Sequence, residues 1–195
     1  QFLGGRGLEV EKQNGPVTIA ETNVRGSNRD GANLMASGKV VISNSSFHSN
    51  AGDGLRIDTS ESVLLNGVSA SANTGTGTSI QTDTIQASVN AVASTFSNNT
   101  GGGLAMSVVG SVWLDKITAS RNTTAGLAVL NLDPATKALF TLLRSTVSGN
   151  GMNGIVLDGA SAITLDGVIV ERNGGDYGVL ITNSGAFKPV VIRDR

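Results

Sequence analysis

One motif returns along the whole chain. The stretch NAGDGLRI, residues 50–57, has counterparts in SNRDGANL, NTGTGTSI, NTGGGLAM, NTTAGLAV, NGMNGIVL and NGGDYGVLI. Its glycine falls at Gly31, Gly54, Gly77, Gly103, Gly126, Gly154 and Gly178, at spacings of 23, 23, 26, 23, 28 and 24 residues. An asparagine stands four residues earlier at Asn50, Asn73, Asn99, Asn122 and Asn150 and five earlier at Asn173, while Ser27 takes the place in the first copy. Ten residues before each of these polar positions lies an apolar or β-branched start: Val17, Val40, Val63, Val89, Val112, Phe140 and Ile163. A corner demanded by the architecture must recur each time the chain turns, and a fixed period of this length marks a repeat architecture.

Each copy carries three short segments, such as LRI after the glycine, VLL further on, and VSA or STF just before the asparagine. They alternate with period two, are rich in β-branched residues and lack 3.6-residue spacing, so they read as strands. Three strands per period of about 24 residues describe one turn of a parallel β-solenoid. Stacked turns then give columns of like residues. One inward column reads Leu55, Thr78, Leu104, Leu127, Ile155 and Val179, and a second reads Leu34, Ile57, Ile80, Met106, Val129, Leu157 and Ile181. A third, Val24, Phe47, Ala70, Phe96, Ala119, Val147 and Val170, mixes large and small side chains that interdigitate. The asparagines form a corner ladder in which each amide bonds to the next, with tolerance of a left-handed backbone, and the glycines supply positive φ or close approach. A calcium-loop reading fails, because Asp53 is matched by Thr76, Gly102 and Ala125.

These repeats resemble those of the right-handed, pectate-lyase-like parallel β-helix superfamily. The resemblance covers Gly7 to about Ile192 and implies a single-stranded right-handed parallel β-helix of about seven to eight coils. The expectation is one all-β domain over 1–195, a section of a longer solenoid, with inserted loops near 78–88 and 127–139. It also implies an extracellular or cell-surface location in a bacterial protein. Fold alone does not give function, since the superfamily spans lyases, hydrolases, epimerases, tailspikes and adhesins.

Composition narrows the partners. A net charge of −1, with Lys and Arg scattered, gives no reason to expect nucleic acid, and no apolar run approaches a membrane span. There is no cysteine and one histidine, His48, which reads as a surface residue, so no metal site and no cofactor are expected. The outward column of the middle strand reads Thr18, Val41, Leu64, Asn90, Trp113, Thr141 and Thr164, which turns the only tryptophan outward beside Asp115, near Arg144 and Asp166. An exposed indole stacks on a sugar or anchors a protein. Asp115 and Asp166, two coils apart at about 10 Å, are candidate catalytic carboxylates with Arg144, although the spacing is loose for glycoside hydrolysis. Asp58 and Asp83 near Arg56 read as solvated charges. Signatures of two enzyme families within the superfamily are missing: the Gly-His-Gly of polygalacturonases has no match, and where mannuronan epimerases have Asp-Pro-His, Asp133-Pro134 is followed by alanine.

The expected function is therefore a non-catalytic repeat region, acting as a stalk or as a surface for polysaccharide or protein, with lateral or end-to-end self-association open to it. The alternative is a polysaccharide lyase, hydrolase or epimerase-like domain acting through Trp113, Asp115, Arg144 and Asp166.

Overall fold

The computed structural model describes residues 5–132, 138–159, 162–182 and 189–193. Its first three coils are β1 (Leu8–Gln13), β2 (Val17–Ala20), β3 (Asn23–Arg25); β4 (Ala32–Ala36), β5 (Val40–Ser43), β6 (Ser46–His48); and β7 (Leu55–Thr59), β8 (Val63–Asn66), β9 (Ser69–Ser71). The fourth has only β10 (Thr78–Thr82) and β11 (Val89–Val92). Then follow β12 (Leu104–Val108), β13 (Val112–Asp115), β14 (Thr118–Ser120); β15 (Leu127–Leu132), β16 (Leu139–Leu143), β17 (Thr146–Ser148); β18 (Ile155–Gly159), β19 (Ala162–Asp166), β20 (Ile169–Glu171); and finally β21 (Val179–Thr182) and β22 (Val190–Arg193).

The first strands of successive coils pair in parallel as one eight-stranded sheet, β1-β4-β7-β10-β12-β15-β18-β21, and the second strands form another, β2-β5-β8-β11-β13-β16-β19-β22. The short third strands make two three-stranded sheets, β3-β6-β9 and β14-β17-β20. Isolated bridges from Ser69 to Thr95 and from Thr95 to Thr118 join them into one column. This is an all-β parallel solenoid with three strand positions per coil, as the repeat requires. Of the two inserted loops, residues 133–137 of the second lie outside the described residues.

Register explains why the repeat folds this way. Leu55, Thr78 and Leu104 are partners in adjacent strands, as are Ile57, Ile80 and Met106. Those side chains point into the cylinder, where Phe47, Phe96 and Phe140 are fully buried. Alanines 70 and 119 sit beside Phe47 and Phe96 in the third column, so each ring fills the space its small neighbour leaves. Burial of each Leu, Ile or Phe contributes about 1.5–3 kcal/mol.

The asparagine ladder closes the corner before the first sheet. Asn73 Nδ2 donates to Asn99 Oδ1 at 3.1 Å and to Phe47 O at 3.1 Å, and Asn99 Oδ1 also accepts the Asn73 backbone N–H at 3.0 Å. The same pattern links Asn99 to Asn122, Asn122 to Asn150 and Asn150 to Asn173, and Asn50 bonds onward to Asn73. Each buried amide between the ladder's ends therefore uses both donors and takes two bonds on its oxygen.

The backbone at this corner differs from the expectation in one respect. Neither the ladder asparagines nor the seven repeat glycines have positive φ. The left-handed residue precedes the asparagine: Gly26, Ser49, Ala72, Asn98, Arg121, Gly149 and Arg172, with φ from 54 to 69°. The repeat glycines are needed for close approach instead. A β-carbon at Gly54 would lie 2.5 Å from Asn73 Nδ2 and 2.6 Å from Gly77 O. A second left-handed column, Glu21, Asn44, Gly67, Ala93, Lys116, Arg144 and Gly167, turns the chain from the second to the third sheet.

Candidate functional site

The outer face of the second sheet carries the residues that the sequence singles out. Parallel pairing places Asn90 beside Trp113 and Trp113 beside Thr141, with Leu64 and Val41 further along the column. Trp113 is 37% exposed, on a short strand whose inward neighbours Val112 and Leu114 anchor it in the core. The indole thus has a free face on a rigid support, flanked by an amide and a hydroxyl.

Two residues on, a second outward column runs Val92, Asp115, Leu143, Asp166 and Arg193. Asp115 and Asp166 are two strand steps apart, about 10 Å. Both are buried although they project from the outer face, which outward alternation alone does not predict. Arg144, left-handed at the turn after β16, folds back across the coil boundary: its Nε donates to Asp115 Oδ1 at 2.8 Å and its Nη2 to Asp115 Oδ2 at 2.5 Å. The paired guanidinium holds the Asp115 carboxyl below the usual carboxylate range, with Lys116 adding to the effect. Asp115 in turn, with a smaller contribution from Asp166, raises the Arg144 value.

The chemistry follows from that pairing. Both Asp115 oxygens are occupied and its proton is held off, which is opposite to what a general acid needs. In this arrangement Asp115 holds the Arg144 guanidinium on the same strand, β13, that carries Trp113 two residues earlier.

A groove of about 410 Å³ on the first-sheet side is lined by Lys12, Met35, Asp58 and Asp83 among others. Asp58 pairs in register with Gln81, two residues before Asp83, so the insertion after β10 brings the two acids to one groove. The sequence shows them only as charges in successive copies. Arg56 has no carboxylate at ion-pair distance among the described residues. Asp53, at the corner, accepts the Thr76 backbone N–H at 2.7 Å, which gives the opening motif's acid a structural use. His48 lines an open groove with Arg25 and Ser49, its Nδ1 3.3 Å from Ser49 Oγ. Among the described residues no cluster of His, Cys, Asp and Glu fits a metal ion, and no helix is long and apolar enough to cross a membrane.

Among solved structures, the chain is similar to the A-module of Azotobacter vinelandii mannuronan C-5 epimerase AlgE4, with a TM-score of 0.65 and 16% identity over 91% of this chain and 59% of that one. The A-module of AlgE6 from the same organism gives 0.60 at 20% identity over 86% and 45% of the two chains, and pectate lyase Pel9A gives 0.51 at 17% over 86% and 52%. The chain thus spans roughly half the length of these structures, and at such identities the likeness is one of fold. No curated protein matches it in sequence. The family model for the right handed beta helix region matches residues 2–111 and 84–193. Its period, its three strand columns and this match together make the chain a member of the right-handed β-helix family.

Proposed function

We propose that this chain is a non-catalytic β-helix module of a secreted or cell-surface bacterial protein that binds polysaccharide on the outer face of its second sheet, around Trp113. The observation that carries this reading is the pairing of an exposed indole with an acid already committed to a neighbour. Asp115 is clamped by Arg144, while Trp113 keeps a free face between Asn90 and Thr141. Stacking on a sugar ring with amide and hydroxyl groups at its rim suits such a surface. The solved structures of similar fold are named for action on mannuronan and, in the lyase, on pectate, which supports a saccharide ligand.

A polysaccharide-acting enzyme is the second reading, and the shared groove of Lys12, Asp58 and Asp83 favours it, because two acids and a cation there are not tied up in one another among the described residues. One titration separates the two readings. The chain is mixed with neutral and acidic polysaccharides while Trp113 fluorescence and the release of reducing or unsaturated ends are followed. A fluorescence shift without product is the expected result, with affinity measured by calorimetric titration falling in Trp113→Ala. Product formation would replace the binding reading with the enzymatic one, and silence in both channels would leave a stalk or protein-contact role.

A further inference from the structure

Asn-Gly occurs five times in the chain, at Asn14, Asn66, Asn150, Asn153 and Asn173. In this dipeptide an asparagine is chemically least secure, because glycine puts no side chain between the next backbone nitrogen and the side-chain amide carbon. The fold treats the five unequally. In the ladder, Gly151 N donates to Asn122 O at 2.8 Å and Gly174 N to Asn150 O at 2.7 Å, while the amides of Asn150 and Asn173 are bonded to each other at 2.8 Å. At the end of β8, Gly67 N donates to Val92 O at 3.0 Å. Asn153 Oδ1 accepts the Tyr177 N–H at 3.2 Å, and Gly154 is buried. These four pairs are therefore held by a neighbouring coil.

Asn14 is the exception. It is exposed at the corner between β1 and β2, and among the described residues neither its side-chain amide nor the Gly15 N–H has a hydrogen-bond partner. The chain just before it is irregular: β1 loses register against β4 between Val10 and Gln13, and Lys12 is left-handed, with φ of 49°. On its other side the corner is tightly packed, since a β-carbon at Gly38 in the next coil would lie 2.4 Å from the Gly15 carbonyl carbon. Asn14 also lines the groove that holds Lys12, Asp58 and Asp83, so a change of charge at this residue is felt there.

We infer that Asn14 is a site of spontaneous deamidation, which converts this corner to aspartate and isoaspartate while the folded solenoid protects the other four Asn-Gly pairs. A base from solvent takes the Gly15 N–H proton, the nitrogen attacks Asn14 Cγ, and the Cγ–Nδ2 bond breaks as ammonia leaves with a proton from water. Water then opens the cyclic imide. Cleavage of its bond from Gly15 N to Cγ restores the ordinary backbone with an aspartate side chain, and cleavage of the bond from Gly15 N to the Asn14 carbonyl carbon routes the backbone through Cγ as isoaspartate. In sum an amide and a water become a carboxylate and ammonium. The attack needs rotation of the Asn14 backbone, which an unbonded corner permits and a bond to the next coil resists. Either product adds a carboxylate to the groove of Asp58 and Asp83 and lowers the net charge of −1 by one unit. Isoaspartate also lengthens the main chain where Gly38 packs against Gly15, which loosens the entry to β2. The site is independent of the Trp113 surface and of any ligand.

The test is peptide mapping by mass spectrometry of the full chain after incubation in mildly alkaline buffer, once folded and once in urea, with fragmentation that separates aspartate from isoaspartate. In the folded chain Asn14 is expected to convert at least tenfold faster than each of the other four asparagines, and in urea the five rates are expected to converge. Gly15→Ala sets a β-carbon beside the attacking nitrogen. Outside the adjoining residues that carbon meets Gln13 Nε2 at 3.7 Å, an ordinary contact, so the variant is expected to melt with the parent and to lose Asn14 at least tenfold more slowly. A thermal melt checks the first point. Conversion of Asn14 no faster than that of Asn66 in the folded chain overturns the inference, as does an undiminished rate in Gly15→Ala. An equal lead for Asn14 in urea overturns it too, because the preference would then belong to the local sequence and not to the fold.

Discussion

Asp53 and Asn153 occupy the same corner position a few coils apart, and each accepts a backbone N–H of the next coil: Thr76 at 2.7 Å for the acid and Tyr177 at 3.2 Å for the amide. The repeat thus runs its own substitution experiment. A neutral oxygen suffices for the bond, whereas the carboxylate adds a charge that the site handles badly. Burial pushes the Asp53 carboxyl up, the Thr76 N–H opposes this, Asp30 raises it further and Arg56 lowers it. Because the folded value lies above the ordinary one, the folded state holds the proton more tightly than the unfolded chain. Stability from this group is thus greatest in acid and declines as pH rises through that window. Asp53→Asn keeps the acceptor and removes the charge. It is expected to stabilise the chain by about half a kcal/mol at pH 7, a small figure because the site is only partly buried, and the gain shrinks towards pH 3. Urea unfolding at both pH values measures it, and a loss of stability at pH 7 would mean that the carboxylate makes an attractive contact that the amide cannot replace.

At the scale of strands, pairing between coils decides what the sequence reveals. Inward columns such as Leu34, Ile57, Ile80 and Met106 were legible because each coil repeats the same demand for an apolar side chain. The asparagine and glycine columns were legible for the same reason. The left-handed corners were not. Glu21, Asn44, Gly67, Ala93, Lys116, Arg144 and Gly167 share a backbone conformation and no side chain, so the constraint leaves no residue signature. The burial of Asp115 was hidden too, since it depends on an arginine 29 residues later that reaches across β13 and β16. That pair makes a pH prediction opposite in sign to Asp53. Arg144 holds the folded value of Asp115 low, so its contribution is present above the ordinary carboxylate range and disappears as pH falls through the lowered folded value. Asp115→Asn is expected to cost about 1 kcal/mol at pH 7, modest because Arg144 is half exposed and returns to water, and to cost almost nothing near pH 2. If the variant and parent instead differed equally at both pH values, the loss would be one of packing and not of charge.

The whole molecule is a stack in which each coil touches only its neighbours, and its energetics should follow that geometry. The ladder offers a direct reading. Removing Asn99 strips acceptors from the Asn73 N–H and Nδ2, and it takes a donor from both Asn122 Oδ1 and Ala70 O. With buried groups left unmatched, Asn99→Ala is expected to cost about 2–4 kcal/mol, and Asn73→Ala a similar amount. The two side chains share one hydrogen bond, so the double variant loses that bond once where the singles count it twice. The expected coupling is about 1 kcal/mol or more in denaturant unfolding. Asn50 and Asn150 lie four coils apart, about 19 Å along the axis, and have no partner in common. Their substitutions are expected to add within about half a kcal/mol. Strong coupling between that distant pair would mean that the corner ladder responds as a single unit, with polarisation passed along its chain of amides, and would replace the nearest-neighbour picture of this solenoid with a cooperative one.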